Sequence, residues 1–235
     1  VQNEGAERIA RLAAFEGVVR MVHVSALGAD ADSPSLYAKS KAAGEAGVLK
    51  YMPSAMILRP SIVFGAEDQF FNRFASMARF GPILPIVGAE TQFQPVSVED
   101  VAKAAVLGIM GISAPGIYEL AGPERDSFRG LMYRMLDIIQ RRRLVLDVPN
   151  FAARTMATSF ELGSKLTFGI LPVPLTSDQV KSLSIDNIPS GEFPGFKDLG
   201  IEPASMVSVL PEYLWPFRTS GQFADIKASA KNLKS

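Results

Sequence analysis

Apolar residues recur along the chain with two different periods, and these periods predict which segments form helices and which form strands. Recurrence every three to four residues is typical of an amphipathic helix, whereas short runs of β-branched and apolar residues are typical of a buried strand. Ser35 and Ser97 stand where a helix-capping side chain is expected. Helices are predicted over residues 4–15, 36–51, 70–80, 98–112 and 128–140, and strands over residues 18–25, 55–58, 116–120 and 144–148.

Strands that alternate with helices of ten or more residues indicate βαβ units, so the predicted fold class is α/β with a mainly parallel sheet. Beyond Pro149 the pattern changes to helical stretches with Gly- and Pro-rich connections, predicted over residues 151–168 and 176–183. Thr176 and Gln179 fit a helix capping box. We expect the chain to divide into residues 1–121, a smaller α-rich C-terminal lobe of residues 122–220, and a tail of residues 221–235.

The composition excludes several classes of function. The chain has 24 Lys plus Arg and 24 Asp plus Glu, so it carries no formal net charge. A nucleic-acid-binding protein usually has an excess of basic residues, so no nucleic-acid partner is expected. The chain contains no cysteine and a single histidine, His23. Disulfides, thiolate zinc sites, iron–sulfur clusters and cysteine nucleophiles are therefore excluded, and no metal site is expected.

Neither a membrane-spanning helix nor a signal peptide is expected. The uncharged stretch of residues 104–118 is interrupted by glycines and a proline, and it is shorter than the roughly 20 apolar residues that a spanning helix needs. The sequence starts at Val1 without an initiator methionine, a basic region or an apolar region. We therefore expect the chain to be a fragment or a processed form.

Tyr37 and Lys41 are the most informative candidates for chemistry. They stand at positions i and i+4 of a predicted helix, so they share one face. An ammonium group close to a phenol stabilises the phenolate and lowers the pKa of the tyrosine, which would suit proton transfer in a hydroxyl–carbonyl conversion. On spacing alone, a simple pair on a helix surface is the more frequent arrangement. The strand that ends at Ser25 before the pair, and the strand that ends at Pro60 after it, favour the functional interpretation.

Six longer motifs stand along the chain: His23-Val24-Ser25, Lys41-Ala42-Ala43-Gly44-Glu45, the run from Phe64-Gly65-Ala66-Glu67-Asp68 to Phe74-Ala75, Phe93-Gln94-Pro95-Val96, Leu175-Thr176-Ser177-Asp178-Gln179-Val180 and Asp198-Leu199-Gly200-Ile201. With these motifs the chain resembles the extended short-chain dehydrogenase/reductase superfamily. Within it, the chain is similar to the group around the nucleotide-binding alpha-subcomplex subunit nine of respiratory complex I and its bacterial relatives. The resemblance covers essentially all of the chain.

The resemblance implies a Rossmann-type parallel sheet whose nicotinamide half lies in residues 1–121, and a bound cofactor, NADP or NAD. Ser25 would face the nicotinamide, and Tyr37 and Lys41 would approach the nicotinamide and its ribose. A loop of Pro60, Ser61, Ile62 and Val63 would pass the amide of the nicotinamide. In an active relative, Tyr37 and Lys41 would also be the catalytic residues. The resemblance further implies a helix-anchoring, structural carboxylate at Asp100.

The chain departs from the superfamily pattern in two ways. No glycine-rich phosphate-binding fingerprint is present in the sequence, and the resemblance places that fingerprint upstream of Val1, so we expect the N-terminal part of the family's fold to be missing. Extended enzymes also place the catalytic Ser or Thr one position after the first hydroxyl residue at the strand end. Ala26 stands there, with Ser25 one step earlier, so the hydroxyl that would polarise a substrate carbonyl is absent.

Three functional hypotheses follow. The first is a nucleotide-binding accessory or assembly subunit of complex I, in which the nucleotide is structural and the partners are other complex I subunits. It would lie on the cytoplasmic face of a bacterial inner membrane or on the matrix side of a mitochondrial one. The second is an active dehydrogenase, reductase or sugar-nucleotide epimerase that uses Tyr37 and Lys41. The third is a scaffold that has lost the nucleotide.

The remaining candidates have a structural interpretation beside a functional one. His23 is expected to be a histidine of the core or sheet face, and Glu67-Asp68 to be charges at the start of a helix. Arg141-Arg142-Arg143 could hold an anionic lipid or a partner, or could be a solvated helix end. The apolar stretch of residues 151–175 could contact a membrane or a subunit. Most of Phe70, Phe71, Phe74 and Phe80 are expected in the core.

Overall fold

A computed structural model describes residues 2–149, 151–153, 155, 178, 181 and 183–219. The helices are α1 (Gln2–Phe15), α2 (Leu36–Tyr51), α3 (Phe71–Phe80), α4 (Val98–Met110), α5 (Phe128–Ile138) and α6 (Met206–Leu214), with 3-10 turns at Phe196–Leu199 and Trp215–Phe217. The strands are β1 (Val22–Val24), β2 (Met56–Pro60), β3 (Val63–Phe64), β4 (Ile83–Ile86), β5 (Gln92–Phe93), β6 (Val96–Ser97), β7 (Gly116–Leu120), β8 (Asp126–Ser127) and β9 (Leu144–Asp147).

Three parallel strands in the order β1-β2-β7 form the central sheet. Val22 of β1 is in register with Met56 of β2, which in turn is in register with Gly116 of β7. Helices separate the strands along the chain, as βαβ units require. The predicted parallel α/β architecture is therefore confirmed, and the strand ends that carry the candidate residues meet at one edge of the sheet.

The first strand is shorter than predicted, because only Val22–Val24 of residues 18–25 are paired. The main chain of Val18 still bonds to Ala13 at the end of α1, and Gly17 adopts a positive φ of 74° in the turn between them. The parallel partner β2 begins opposite Val22, so the preceding valines have no strand to pair with.

Helices cover both faces of the sheet. On one face α1 packs along α2, and Val48 and Ile57 belong to the small core between α2 and the sheet. On the other face α4 packs against Leu58 and Tyr118. Ser35 and Ser97 accept main-chain hydrogen bonds at the starts of α2 and α4, so the predicted capping roles are confirmed.

A second core lies between α3, α5 and α6. Its centre is a group of aromatic rings in edge-to-face and tilted contacts, with Phe70 5.5 Å from Phe128 between ring centroids. This core contains residues that precede position 121 in the sequence and residues that follow it. The division of the chain at that position therefore stays a prediction. Three of the four phenylalanines expected mostly in the core belong to it or pack against it. Phe80 is the exception: it is 86% exposed, because α3 ends there and the chain turns away at Gly81.

Two short strand pairs lie beside this core, and of their four strands only β9 was predicted, over residues 144–148. β4 pairs with β9 in parallel, and β5 pairs with β8 in antiparallel orientation. The C-terminal ends of α4 and α5 come two residues earlier than predicted; at the first, Gly111 adopts a left-handed conformation that stops the helix.

Several predictions concern residues outside the described ranges. These are most of the apolar stretch of residues 151–175, the capping box of Thr176 and Gln179, and the tail of residues 221–235. Within the part of the chain that the structure describes, no helix is both long enough and apolar enough to cross a membrane.

Candidate nucleotide-binding site

Ser25 lies directly after β1, at the edge where the parallel strands end. Its main-chain N–H donates to the carbonyl of Leu58 at 2.7 Å, so the serine continues the pairing of β1 with β2. The side chain is 3% exposed, and its Oγ has no hydrogen-bond partner among the described residues. A buried hydroxyl without a partner is costly, so this atom can still accept or donate a bond to a bound group.

Tyr37 and Lys41 lie side by side on the first turns of α2, as their spacing predicts. The Lys41 Nζ is 5.7 Å from the centroid of the Tyr37 ring and donates to the carbonyl oxygen of Val24 at 3.4 Å. That carbonyl belongs to the residue before Ser25. The structure therefore brings Ser25, Tyr37 and Lys41 to the same end of β1, with Tyr37 46% exposed.

The expected lowering of the tyrosine pKa is wrong for the chain alone. Burial of the phenol raises the pKa of Tyr37 above its ordinary value. Burial also lowers the pKa of Lys41, while the carboxylate of Glu45 acts in the opposite direction. At neutral pH the phenol is therefore protonated, and it can donate a hydrogen bond but is a poor base.

The loop after β2 is close to this group but uses its polar atoms internally. Leu27 N–H donates to the carbonyl of Pro60 at 3.0 Å, which ties the two strand ends together. Ser61 Oγ donates to Asn187 Oδ1 at 2.7 Å, and Ile62 N–H donates to the same atom at 3.2 Å. Val63 is in β3, beside β6. The Ser61 hydroxyl and the Ile62 amide are therefore already engaged, and the passage of this loop along the nicotinamide stays a prediction.

Asp178 holds the start of α2 and was not among the predicted site residues. Its carboxylate accepts hydrogen bonds from Leu36 N–H at 2.8 Å, Tyr37 N–H at 3.2 Å and Ser35 Oγ at 3.3 Å. A carboxylate at a helix N-terminus is favourable because the first amides of the helix lack partners within it. Asp178 thus fixes the helical turn that carries Tyr37.

Asn187 was also missed, and it fixes the other side of the site. Besides the loop after β2, it contacts the strand β5: its N–H donates to the carbonyl of Gln92 at 2.8 Å. Asp178 and Asn187 are nine residues apart but bond to partners more than 120 residues away. A local sequence pattern cannot predict contacts between residues so far apart. Asp178 nevertheless stands within one of the motifs on which the family resemblance rests.

A row of buried charges runs beneath Lys41. Glu45 is 4% exposed and accepts two hydrogen bonds from Arg59, at 2.8 and 2.6 Å. His23 lies near the same groups, and the pKa of its imidazole is lowered by burial and by Lys41, with Glu45 opposing. His23 is thus a neutral histidine of the sheet face at pH 7, as expected. No group of metal-ligating side chains was found in the described residues.

The other carboxylates that the sequence singled out have structural roles. Asp68 accepts from the N–H groups of Phe70 and Asn72, so the helix-start interpretation is confirmed. Asp100 is fully buried and accepts hydrogen bonds from Lys103 and from the N–H of Ala204. It therefore anchors α4 to the segment that follows the 3-10 turn Phe196–Leu199. Neither carboxylate is near Tyr37 in the contacts of the structure.

An open groove of about 570 Å³ lies beside β7. Glu119, Phe193 and Lys197 are among the residues that line it, and Glu119 is held by Ser190. The groove contains neither Tyr37 nor Lys41, so it is separate from the candidate site.

The comparisons with known proteins agree with this geometry. The chain is 34% identical over 223 residues to "NADH dehydrogenase [ubiquinone] 1 alpha subcomplex subunit 9, mitochondrial" of Arabidopsis thaliana, which covers 92% of the chain and 55% of that relative. It is 31% identical over 224 residues to "NADH-ubiquinone oxidoreductase 40 kDa subunit, mitochondrial" of Neurospora crassa, covering 95% of the chain and 57% of that relative. The chain thus spans little more than half the length of these relatives, and the predicted resemblance to the complex I group is confirmed.

Solved structures support the fold. The UDP-glucose 4-epimerase of Thermus thermophilus, in complex with NAD, superposes with a TM-score of 0.65 at 18% identity, over 94% of this chain and 70% of the epimerase chain. At that identity the likeness shows the Rossmann-type fold alone, and it confirms the predicted fold class. A family model, the RmlD substrate binding domain, matches residues 1–137, more than half of the 235 residues. The chain therefore belongs to the RmlD substrate binding domain family.

Proposed function

We propose that the chain is the nicotinamide side of a nucleotide-binding accessory subunit of NADH-ubiquinone oxidoreductase, in which bound NADP(H) or NAD(H) is structural. The observation that carries the proposal is the arrangement at the end of β1. The buried Ser25 Oγ lacks a partner among the described residues, and it stands beside the Lys41 ammonium and the Tyr37 phenol. The assignment to this complex is supported by the names of the relatives. The choice of a nicotinamide cofactor is supported by the NAD in the superposed epimerase structure.

The residues at this edge fit a nicotinamide nucleoside. Lys41 and Ser25 can bond ribose hydroxyls or the amide group, and the protonated Tyr37 can donate a hydrogen bond. The loop after β2 would form a wall of the site without donating hydrogen bonds to the nucleotide from Ser61 or Ile62, because the polar atoms of these two residues are bound to Asn187. This loop consists of Pro60, Ser61, Ile62 and Val63. The nucleotide, when bound, supplies the capacity for hydride transfer.

A structural role for the nucleotide is favoured by what the site lacks. Ala26 stands where active enzymes of the superfamily have the second hydroxyl, so only Ser25 offers a hydroxyl at this strand end. Burial keeps the Tyr37 phenol protonated, which opposes its use as a base. These residues can bind and orient the nucleotide, but they lack a second hydroxyl to polarise a substrate carbonyl.

An active short-chain dehydrogenase, reductase or sugar-nucleotide epimerase is the second candidate, and the proximity of Lys41 to Tyr37 favours it. A positive nicotinamide ring beside the phenol would lower its pKa and offset the effect of burial. Under this alternative Tyr37 exchanges the proton and Lys41 assists it.

Binding measurements on the full 235-residue chain test the proposal. We expect NADPH or NADH to bind, and Lys41→Ala and Ser25→Ala to weaken binding about tenfold each, the usual effect of a hydrogen bond to a charged or buried group. Lys39→Ala is the matched control, because Lys39 is an exposed lysine on the same helix. Binding without oxidation or reduction by candidate carbonyl and alcohol substrates supports the structural role. Turnover that Tyr37→Phe abolishes would establish the enzyme instead, and no binding at millimolar nucleotide would leave a scaffold.

The partner and the location are tested in cells. We propose that the other complex I subunits are the partners, on the cytoplasmic face of a bacterial inner membrane or the matrix side of a mitochondrial one. A tagged chain should then migrate with NADH dehydrogenase activity in blue native gels of host membranes. Migration only as a free protein would contradict the assignment to the complex.

A further inference from the structure

A group of arginines lies at one end of the aromatic core, where α3 and α5 have their C-terminal ends. One arginine lies in the last turn of α3, three lie in the connection between α5 and β9, and one follows the 3-10 turn after α6. The group consists of Arg79, Arg141, Arg142, Arg143 and Arg218.

Three of these side chains are fixed by carbonyl oxygens of the main chain. Carbonyls at helix ends have no partner within the helix and carry partial negative charge, so they orient cationic side chains. The Nε atoms donate from Arg141 to Phe217 at 2.7 Å, from Arg143 to Ala78 at 2.8 Å and from Arg218 to Ile138 at 2.9 Å. The fold therefore holds the guanidinium groups close to one another.

Four of these arginines have no carboxylate partner in the described part of the chain. Among the described residues, none forms an ion pair with Arg79, Arg141, Arg142 or Arg143. The exposed Asp137, one helical turn before Arg141, is not paired with them either. The pKa of Arg141 is lowered by burial and by the positive charges of Arg143 and Arg79. Arg79, Arg141 and Arg143 repel one another and have no counter-charge among the residues that the structure describes, and such a group of cations attracts an external anion.

Apolar side chains surround the arginines. Phe80 is 86% exposed at the end of α3, and Trp215 is partly exposed in the turn after α6. The outward side of the β4–β9 pair is also apolar: Ile83 is in register with Leu144, and both are exposed. Exposed aromatic and aliphatic groups beside basic ones are typical of surfaces that lie in the headgroup region of a bilayer.

We propose that this surface, the arginine face (Arg79, Phe80, Ile83, Arg141–Leu144 and Trp215), docks on a bilayer that contains anionic lipids. Lipid phosphates would lie between the arginines, and Phe80, Leu144 and Trp215 would lie among the headgroups. The charge of the arginines selects an anionic partner, and the apolar rim selects a lipid surface rather than a nucleic acid or a free phosphate. The inference is independent of the nucleotide site, which lies at the end of the central sheet.

Trp215 provides the measurement, because it is the only tryptophan of the chain. The full chain is mixed with vesicles of phosphatidylcholine alone or of phosphatidylcholine and phosphatidylglycerol in equal parts. We expect co-sedimentation and a blue shift of the tryptophan emission with the anionic vesicles only, both weakened by added salt. Glycerol phosphate at the same total phosphate should neither shift the emission nor release the protein from the vesicles.

Charge reversal distinguishes the arginine face from general attraction. Arg79→Glu with Arg142→Glu should weaken binding to the anionic vesicles by at least about 30-fold, since each basic residue contributes about 1 kcal/mol at such a surface and the new carboxylates add repulsion. Phe80→Ser should weaken it by about tenfold through lost apolar contact. The matched control, Arg8→Glu with Arg11→Glu, reverses two exposed arginines of α1, on the sheet side.

Three results would overturn the proposal. One is an emission spectrum that the anionic vesicles leave unchanged. Another is an equal loss of binding in the control, which would mean general electrostatic attraction. The third is glycerol phosphate reproducing the shift, which would mean a site for free phosphate. Because the variants change exposed side chains, a circular dichroism spectrum like that of the unmodified chain shows that the fold is retained.

Discussion

The two cores of the molecule differ in what they bury. Around the central sheet, α2 and α4, the buried residues include the charged Glu45, Asp100 and Glu119 and the unpartnered hydroxyl of Ser25. None of the buried polar residues in the described part of the chain lies on α3, α5 or α6, and several phenylalanine rings are in contact in the core between these helices. Its polar contacts, such as that of Tyr213 with Asp68, are made by partly buried residues. A buried charge lowers the stability of the fold unless it is paired, whereas packed aromatic rings raise it. The candidate site is thus in the region whose buried residues include charged ones, whereas the aromatic core is stabilised mainly by apolar packing.

The largest effect is expected from the aromatic core. Phe128 is 1% exposed and contacts Phe70, Phe74 and Phe93 at centroid distances of 5.3 to 5.6 Å. Phe128→Ala should lower the free energy of unfolding by about 3–5 kcal/mol, because it removes these contacts and leaves a cavity. Urea unfolding measures the loss.

The control for Phe128 is Phe80→Ala, which should change the free energy of unfolding by less than about 0.5 kcal/mol because the ring is exposed. Similar losses in both variants would mean that the aromatic core does not provide the stability that its packing indicates.

Breaking the buried ion pair of the sheet region is the next largest effect. The side chains of Glu45 and Arg59 are 6% and 13% exposed, and their atoms approach to 2.6 Å. Glu45→Gln leaves the guanidinium without its counter-charge, and we expect a loss of about 3 kcal/mol in the free energy of unfolding.

The exposed pair of Glu7 and Lys50 is the control, since Glu7→Gln should have no measurable effect on stability. If Glu45→Gln lowered the free energy of unfolding as little as this control, the buried pair would not be needed for stability. The two cores would then not differ in their dependence on buried charges.

A smaller and local effect is expected from Asp178. Asp178→Ala removes the acceptor for the first amides of α2. The free energy of local opening at Leu36 and Tyr37 should then fall by about 1–2 kcal/mol, so that their amide hydrogens exchange faster with solvent. Asp178→Asn should restore part of the protection, because an amide oxygen still accepts. The control is Asp137→Ala, an exposed carboxylate on α5. Unchanged exchange in Asp178→Ala would mean that Ser35 alone caps the helix.

The sequence was sufficient for the features that depend on local pattern. Alternating strands and helices predicted the parallel sheet, and the i, i+4 spacing placed Tyr37 and Lys41 side by side. The end of the first strand placed Ser25 at the edge of the sheet, next to the Val24 carbonyl that Lys41 contacts. These features follow from backbone periodicity, which neighbouring residues encode.

Features that depend on distant partners were missed. Asp178 and Asn187 act on residues that lie more than 120 positions away, and strands of two residues such as β5 and β8 carry no periodic signal. The direction of the Tyr37 pKa was also missed, because spacing reveals the neighbouring ammonium but not how much of the phenol is removed from water.

The smallest expected effect is on the titration of His23, which reports the charges beneath Lys41. As the only histidine, it gives a single imidazole signal in proton NMR, and its pKa should lie below the ordinary 6.5 because burial and Lys41 disfavour the imidazolium. The unfolded chain then binds more protons between these two pKa values. Stability should therefore fall as the pH drops through 6.5, and the loss should be complete below the folded-state pKa.

Replacing one charge at a time sharpens this last prediction and ties it to the candidate site. Lys41→Met should raise the pKa of His23, because it removes the nearby positive charge. Lys39→Met, on the exposed side of the same helix, should leave the titration unchanged. If both variants shift it equally, the imidazole senses only the net charge of the protein, and the polar interior around the sheet does not couple His23 to Lys41. If only Lys41→Met shifts it, the histidine becomes a reporter for nucleotide binding, because a ligand that engages the ammonium must also change the field at the imidazole.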